Sequence, residues 1–397
     1  MAEPEGSHLL RGRGDGTHAR VTFIELFFDL VFVFAITQLS HGLLHHLTLG
    51  GAAQTLLLLL AVWWVWIFTS WVTNWLDPEA APVRLMLFAL MLAGLVMSAS
   101  IPKAFEERGL LFAGAYVTMQ VGRSLFTLWA VRAASPVNYR NFQRITAWLA
   151  LSGVLWLAGG LLQGEARFAL WLLAMLLEFI SPALGFWTPG LGRSRTADWD
   201  VSGAHMAERC GLFVILALGE SILITGSTFA ELSWSAPTST AFAVGLAGSI
   251  AMWWIYFNIG AERATRLIEH AADPGRIARL AYTYLHVVIV AGIIVAAVAD
   301  ELAIKHPVGR AGTATALVTI GGPMLFLAGC LLFKWSTAGW PPLSHMAGIA
   351  MLVACFLLAP ALDTLALASL ASAVLVLVAG WETLSLAGSR ERRDTAG

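Results

Sequence analysis

Apolar positions in this chain do not alternate with polar ones as in a half-buried strand. They run together in stretches of about twenty residues, each closed by Pro, Gly or charged side chains. Such stretches lie near 22–44, 52–76, 83–101, 109–131, 142–162 and 168–187, and again near 203–229, 239–259, 277–299, 313–333, 343–359 and 362–384. A membrane-crossing barrel strand needs only roughly ten residues, so runs of this length predict transmembrane helices, about twelve of them. The last two are separated only by residues 360–363, and a re-entrant pair would give the same pattern.

Composition agrees. In 397 residues, 58% are hydrophobic and 12% charged, with a mean hydropathy of +0.74, which is too little polar surface to cover a water-soluble globule of this size. The expected fold class is all-α, a polytopic transmembrane helix bundle whose first partner is the lipid bilayer. A net charge of −1 with no concentrated basic face argues against a nucleic-acid partner. Cys210, Cys330 and Cys355 fall inside apolar runs without metal-type spacing and read as core residues. Residues 1–20 lack the apolar middle of a signal peptide and read as a cytoplasmic tail.

Lys and Arg orient the spans. With the amino terminus inside, the inner segments hold Arg11, Arg13, Arg20, Arg84, Arg132, Arg140, Arg144, Arg193, Arg195, Arg263, Arg266, Arg276, Arg279, Lys334, Arg390, Arg392 and Arg393, against Lys103, Arg108, Arg167, Lys305 and Arg310 outside. This bias places both termini in the cytoplasm. An internal repeat is also legible. Ala61-Val-Trp-Trp-Val-Trp-Ile-Phe in the second span resembles Ala251-Met-Trp-Trp-Ile-Tyr-Phe in the eighth, each followed by an Asp-Pro (Asp77, Asp273) and an arginine (Arg84, Arg276). Ser100-Ile-Pro-Lys and Ala299-Asp-Glu-Leu end the corresponding third and ninth spans. The expected organisation is a tail at 1–20, a six-helix half at 21–190, a cytoplasmic linker at 191–202, a second six-helix half at 203–387 and a tail at 388–397, the halves being parallel repeats because each has an even number of spans.

Charge inside the apolar runs then singles out candidate chemistry. In the first span, Thr22, Glu25, Asp29 and Ser40 share one face at helical spacing, while Gln38, His41 and His45 lie nearly opposite, leaving little room for lipid. The seventh carries His205, Glu208, Arg209, Glu220 and Ser221, with Glu220 about 16 Å deeper than Arg209. Gly219 and Ser221 are small enough to let a helix or water approach the Glu220 carboxylate. Arg123 in the fourth span keeps its proton, so it is expected to meet Asp29, Glu178 or Glu220, while the carboxylates can become neutral and carry protons. The bland alternative is a buried network that only fixes helix register, and for Glu25 and Arg209, near a span end, snorkelling or capping. Trp63, Trp64 and Trp66 read as packing or an interfacial belt. His41, His45 and His46 provide too few ligands for a metal site, and no cofactor is expected.

The blocks Glu25-Leu-Phe-Phe-Asp-Leu-Val-Phe-Val and Glu208-Arg-Cys-Gly-Leu-Phe-Val-Ile-Leu-Ala-Leu-Gly-Glu-Ser closely resemble the two signature helices of the bacterial low-temperature-requirement A (LtrA) family, matching at Glu25, Asp29, Glu208, Arg209, Gly219, Glu220 and Ser221. The resemblance covers nearly the whole chain and implies a bacterial cytoplasmic (inner) membrane protein, but that family's name records a growth phenotype and brings no mechanism. Phe28-Asp29-Leu-Val-Phe-Val-Phe-Ala-Ile-Thr is also similar to the Phe-Ser-Asp helix motif of the endolysosomal potassium and proton channel family, with Phe28 in place of the serine. The leading expectation is a transporter of a small solute or ion, proton-linked through Asp29 and Glu220 beside Arg123. A cation channel or a non-transporting scaffold is the alternative, and oligomers are compatible with either. No Gly-x-Ser-x-Gly, His-Glu-x-x-His or phosphate-loop motif supports an enzyme, and Lys103, Lys305 and Lys334 sit at span ends, where a retinal-binding lysine would not.

Overall fold

The computed structural model describes residues 9–11, 20–195, 201–258 and 274–394, and among them every long element is a helix. Thr22 starts α1 (Phe23–His45), its backbone N–H and hydroxyl both donating to Glu25 Oε2 at 2.9 Å. Thr48 starts α2 (Leu49–Trp75), its hydroxyl accepting from the Gly51 N–H. α3 (Ala81–Ser100) has Pro82 in its first turn and tightens into a 3-10 turn at Ile101–Lys103. Then follow α4 (Gly109–Val131), α5 (Pro136–Leu161) capped by Ser135, and α6 (Gly164–Ile180). α7 (Gly203–Glu231) and α8 (Ala236–Phe257, capped by Ser235) come next. α9 is continuous through Pro274–Ala278, a π-helical stretch Arg279–Leu285, and His286–Lys305. α10 (Thr313–Ala338) ends on Gly339, whose φ of 78° takes the left-handed conformation a C-cap asks for. α11 (Leu343–Leu358) turns through Ala359–Ala361 into α12 (Thr364–Asp394).

The protein is thus a polytopic helical membrane protein. Ten of these helices are long and apolar enough to cross a membrane, including both of the last two, with Leu343–Ala361 and Thr364–Ser385 the qualifying segments. The two that fall short are α6, with 17 residues, and α4, whose apolar run is diluted by Thr118, Gln120, Arg123, Ser124 and Thr127. Leu85, Leu92, Leu157, Leu223 and Leu377 are among many large apolar side chains left exposed, as lipid-facing residues are.

The chain divides into two compact units, the described residues of Met1–Arg209 with Ile268–Arg279, and those of Cys210–Leu267 with Leu280–Gly397. The division falls within α7, just after Arg209. In the first unit α1 packs on α2 and α3, and the order continues α3 on α4, α4 on α5 and α5 on α6, with α2 also reaching α4 and α6. α2 is the buried axis here, with Trp63, Trp64 and Trp66 at most 1% exposed, which rules out an interfacial belt for them. In the second unit α9 packs on α10, α10 on α11, α11 on α12, and α8 on α9 and α12. Arg13, Arg263, Arg266, Asp273, linker positions 196–200 and tail positions 1–8, 12–19 and 395–397 lie outside the described residues.

Leu9–Arg11, in the stretch read as a cytoplasmic tail, is docked on the end of α2, with the Arg11 N–H donating to Trp75 O and the Asp77 N–H to Leu9 O, both at 2.9 Å. One expectation needs correction: the first helix, expected to leave little room for lipid, does face outward along one stripe. Phe23, Phe27, Leu30 and Phe34, at i, i+4, i+7 and i+11, are exposed, because the opposed polar positions leave a third, wholly apolar face between them.

Candidate functional site

Glu25 and Asp29 stand one helical turn apart on α1, and His205 and Arg209 one turn apart on α7. The two pairs meet as rungs. His205 Nε2 lies 2.8 Å from Glu25 Oε1, and Arg209 Nη2 donates to Asp29 Oδ1 at 2.8 Å while Nη1 lies 3.7 Å from Glu25 Oε1. This matching order requires the first turns of α7 to run in the same direction as α1. Glu25, Asp29, His205 and Arg209 are all fully buried.

The surroundings hold these rungs in place. Arg11 Nη2 donates to Glu25 Oε2 at 3.0 Å, so the docked tail supplies a second cation. Asn74 exchanges two hydrogen bonds with the backbone of Ser202, which aims its amide Nδ2 at His205 Nδ1, 3.2 Å away. In the neutral ring Nδ1 is then the acceptor and Nε2 carries the proton toward Glu25. Trp66 Nε1 donates to Asp29 Oδ1 at 2.7 Å, and its ring lies 5.6 Å from the Arg209 guanidinium carbon. Arg209 Nη2 also donates to Ser70 Oγ at 3.2 Å. Asp29 Oδ2 and Arg209 Nε have no hydrogen-bond partner among the described residues, so this site has polar capacity that the surrounding helices do not use. Glu208 is exposed and accepts from the Val21 N–H at 3.1 Å, pinning the entry to α1.

A second network is closed. Glu178 on α6 accepts from Tyr116 Oη (2.6 Å), Gln120 Nε2 (3.0 Å), Ser152 Oγ (2.8 Å) and Trp156 Nε1 (3.0 Å), two donors on each oxygen. Arg123, expected on a carboxylate, forms no direct ion pair among the described residues. It donates to Val65 O and Thr69 Oγ1 at 3.0 Å and to Gln120 Oε1, and Gln120 relays it to Glu178. Asp29 is instead served by Arg209. The cause is steric: α2 lies between, and its backbone carbonyl and Thr69 hydroxyl meet the guanidinium first. Arg209 and Glu25 are likewise not snorkelling to an interface, since each is buried against its partner.

At the far end of α1, about 22 Å along the helix from Phe23, Gln38 lines a cavity of about 70 Å³ with His46, Gln54, Thr55, Pro102 and Glu106, while His41 and His45 are exposed. In the second unit Glu220 and Ser221 are buried, and a Cβ on Gly219 would meet nothing within 4 Å.

Sequence reasoning passed over several polar groups. Lys334, read as a span-end lysine, places Nζ 2.8 Å from both oxygens of Glu382, with His345 Nδ1 3.3 Å from Oε1. His286, just after the π-helical stretch, joins Tyr256 Oη (2.9 Å) to Ala281 O (2.7 Å). The omitted signal for the main site was the shared four-residue spacing of Glu25/Asp29 and His205/Arg209.

The family model described as Bacterial low temperature requirement A protein (LtrA) matches residues 20–380. A protein of Rhizobium meliloti (strain 1021) bearing the name "Uncharacterized protein RA0937" is 43% identical over 387 residues, covering 97% of this chain and 94% of that one. No solved structure matches. A match across both rung-bearing helices and nearly every span between them leads to one conclusion: the chain belongs to the bacterial low-temperature-requirement A family.

Proposed function

We propose that this protein is a proton-linked transporter of a small solute or ion in the bacterial cytoplasmic membrane, with both termini cytoplasmic, and that it has no enzymatic activity. The observation that carries the reading is the buried rung pair in which Asp29 is held by Arg209 and Trp66 through one oxygen while its other oxygen has no partner among the described residues. A carboxylate at membrane depth is costly unless paired or neutralised, and one whose pairing can be traded for a proton is the usual means of coupling. His205, 2.8 Å from Glu25, supplies a second group able to exchange a proton with a buried carboxylate. Gln38, about 14 Å further along α1 from Asp29, lines a cavity toward the other end of the same helix, where Gln54, Thr55 and Glu106 also reach it. Glu220, with open space beside Gly219, is the matching candidate in the second unit.

The reading includes two parallel six-helix repeats. Its support is the recurrence of neighbours, since the third helix of each set packs on the fourth, the fourth on the fifth, the fifth on the sixth and the second on the sixth. Glu178 and Arg123 are assigned to architecture, because the donors around that carboxylate leave no room for cargo.

Reconstitution in liposomes carrying a pH-sensitive dye, challenged with a solute panel, tests the proposal. A solute gradient should drive proton movement above that of empty vesicles, and both Asp29→Asn and Glu220→Gln should return it to that level. Solute flux without proton movement, or flux indifferent to both substitutions, contradicts the coupling. Ion currents at rates no alternating carrier reaches would assign a channel instead.

A further inference from the structure

We propose that the second unit contains a binding site for a small monovalent cation of sodium's class, built on Asp300. This carboxylate lies within α9, five residues or about 7.5 Å from the end of the helix at Lys305, and has no hydrogen-bond or ion-pair partner among the described residues. Its neighbours Glu301 and Lys305 pair with each other at 2.6 Å and leave it alone. Asp300 borders a cavity of about 20 Å³, room for roughly one water-sized occupant, with Thr319 and Pro323 of α10, Ser372 of α12 and Gly248 of α8.

The walls supply oxygens. Pro323 sits inside α10 and has no N–H, so the carbonyl of Thr319, four residues earlier, loses its helical donor. The Thr319 hydroxyl is turned to the Thr315 carbonyl at 2.8 Å, which uses its proton and leaves its lone pairs. Ser372 has no hydrogen-bond partner among the described residues, and its Oγ would be 3.0 Å from a Cβ built on Gly248, so it is pressed against that glycine at the cavity wall. Gly245 does the same for Asp300, whose Oδ1 would be 3.2 Å from an added Cβ. The levels agree. Thr319 is six residues into α10 and Ser372 eight into α12, about 9 and 12 Å, and the loop before α10 is fastened to the start of α12 by Thr364 N–H to Gly309 O and Leu365 N–H to Pro307 O.

One carboxylate among neutral carbonyl and hydroxyl oxygens suits a singly charged hard cation. A divalent ion in so small and apolar a chamber would need more carboxylates. A helix interrupted by proline, with a freed carbonyl facing a carboxylate, is a general way to hold such an ion at membrane depth. The inference does not depend on transport, because binding is read without flux.

The test uses the purified full-length protein in detergent at one fixed alkaline pH, with NaCl exchanged against choline chloride at constant ionic strength. The expected result is saturable binding of radioactive sodium and a rise in melting temperature with sodium. Ser372→Ala should weaken sodium affinity about three- to tenfold, the loss of one neutral oxygen contact. Asp300→Asn should abolish sodium binding while leaving the melting temperature in choline chloride at or above that of the wild type. Absence of saturable sodium binding by the wild type overturns the proposal, and so does binding that Ser372→Ala and Asp300→Asn both leave unchanged. Loss of liposome flux with sodium binding intact would count against the transport reading alone.

Discussion

Arg209→Gln is expected to be the most damaging single substitution in the first unit, costing about 3–5 kcal/mol of stability, as removal of one partner from a buried ion pair does. The guanidinium answers two carboxylates from one position, Asp29 through Nη2 at 2.8 Å and Glu25 through Nη1 at 3.7 Å. Without it Asp29 keeps, among the described residues, only the Trp66 N–H, and a buried carboxylate with one neutral donor must be protonated or hydrated at the expense of packing. Glu25 loses less, since Arg11 and His205 remain on it. Arg209→Lys should fall between, because an ammonium is a point charge that cannot serve both oxygens and also lie flat over the Trp66 ring. Thermal unfolding in detergent, ranked wild type above Arg209→Lys above Arg209→Gln, is the check. Equal melting temperatures for the three would mean the guanidinium is not confined between its partners.

The second large effect is expected at the contact of α9 with α10. A Cβ on Gly292 would lie 2.3 Å from the backbone N of Phe326, and one on Gly322 would lie 2.6 Å from the backbone N of Ala296. Backbone cannot step aside as a flexible side chain can, so even Gly292→Ala forces the two helices apart, at about 1–3 kcal/mol. Gly321→Ala is the internal control. It is one residue from Gly322, yet its Cβ meets nothing within 4 Å, and alanine's better helix propensity makes it neutral or slightly stabilising. Ala296 also borders the Asp300 cavity, so Gly292→Ala should weaken sodium binding as well as lower the melting temperature, whereas Gly321→Ala should do neither. Similar losses from both substitutions would contradict this account, because the close approach of the two backbones at Gly292 would then not be what sets the cost.

How far the sequence carried these conclusions depends on the range of the interaction. Span existence rests on local apolarity, and each of the twelve stretches falls on a helix. The π-helical stretch at Arg279–Leu285 did not announce itself, because its residues are ordinary helix formers and the register shift shows only in the backbone. The polar residues of α1 and α7 were recognised individually. Their pairing joins positions 180 apart, and helical periodicity gives a residue's face but not the helix opposite. Arg123 is the instructive error. Charge alone sent it to a carboxylate, but a guanidinium has five N–H donors, and the Val65 carbonyl, Thr69 and Gln120 satisfied it first. Lys334 was placed at a span end and Glu382 was not singled out, since their 48-residue separation gave no hint that they meet.

Asp29 and Arg209 form one buried pair at the centre of the site, and a double-mutant cycle measures that pair directly. Melting of the wild type, Asp29→Asn, Arg209→Gln and the double variant, converted to free energies, should give a coupling of about 1–3 kcal/mol, with the double variant losing clearly less than the two single losses combined. Additive losses, agreeing within about 0.5 kcal/mol, would show that the two side chains do not sense one another and would remove the site on which the proton-linked reading stands.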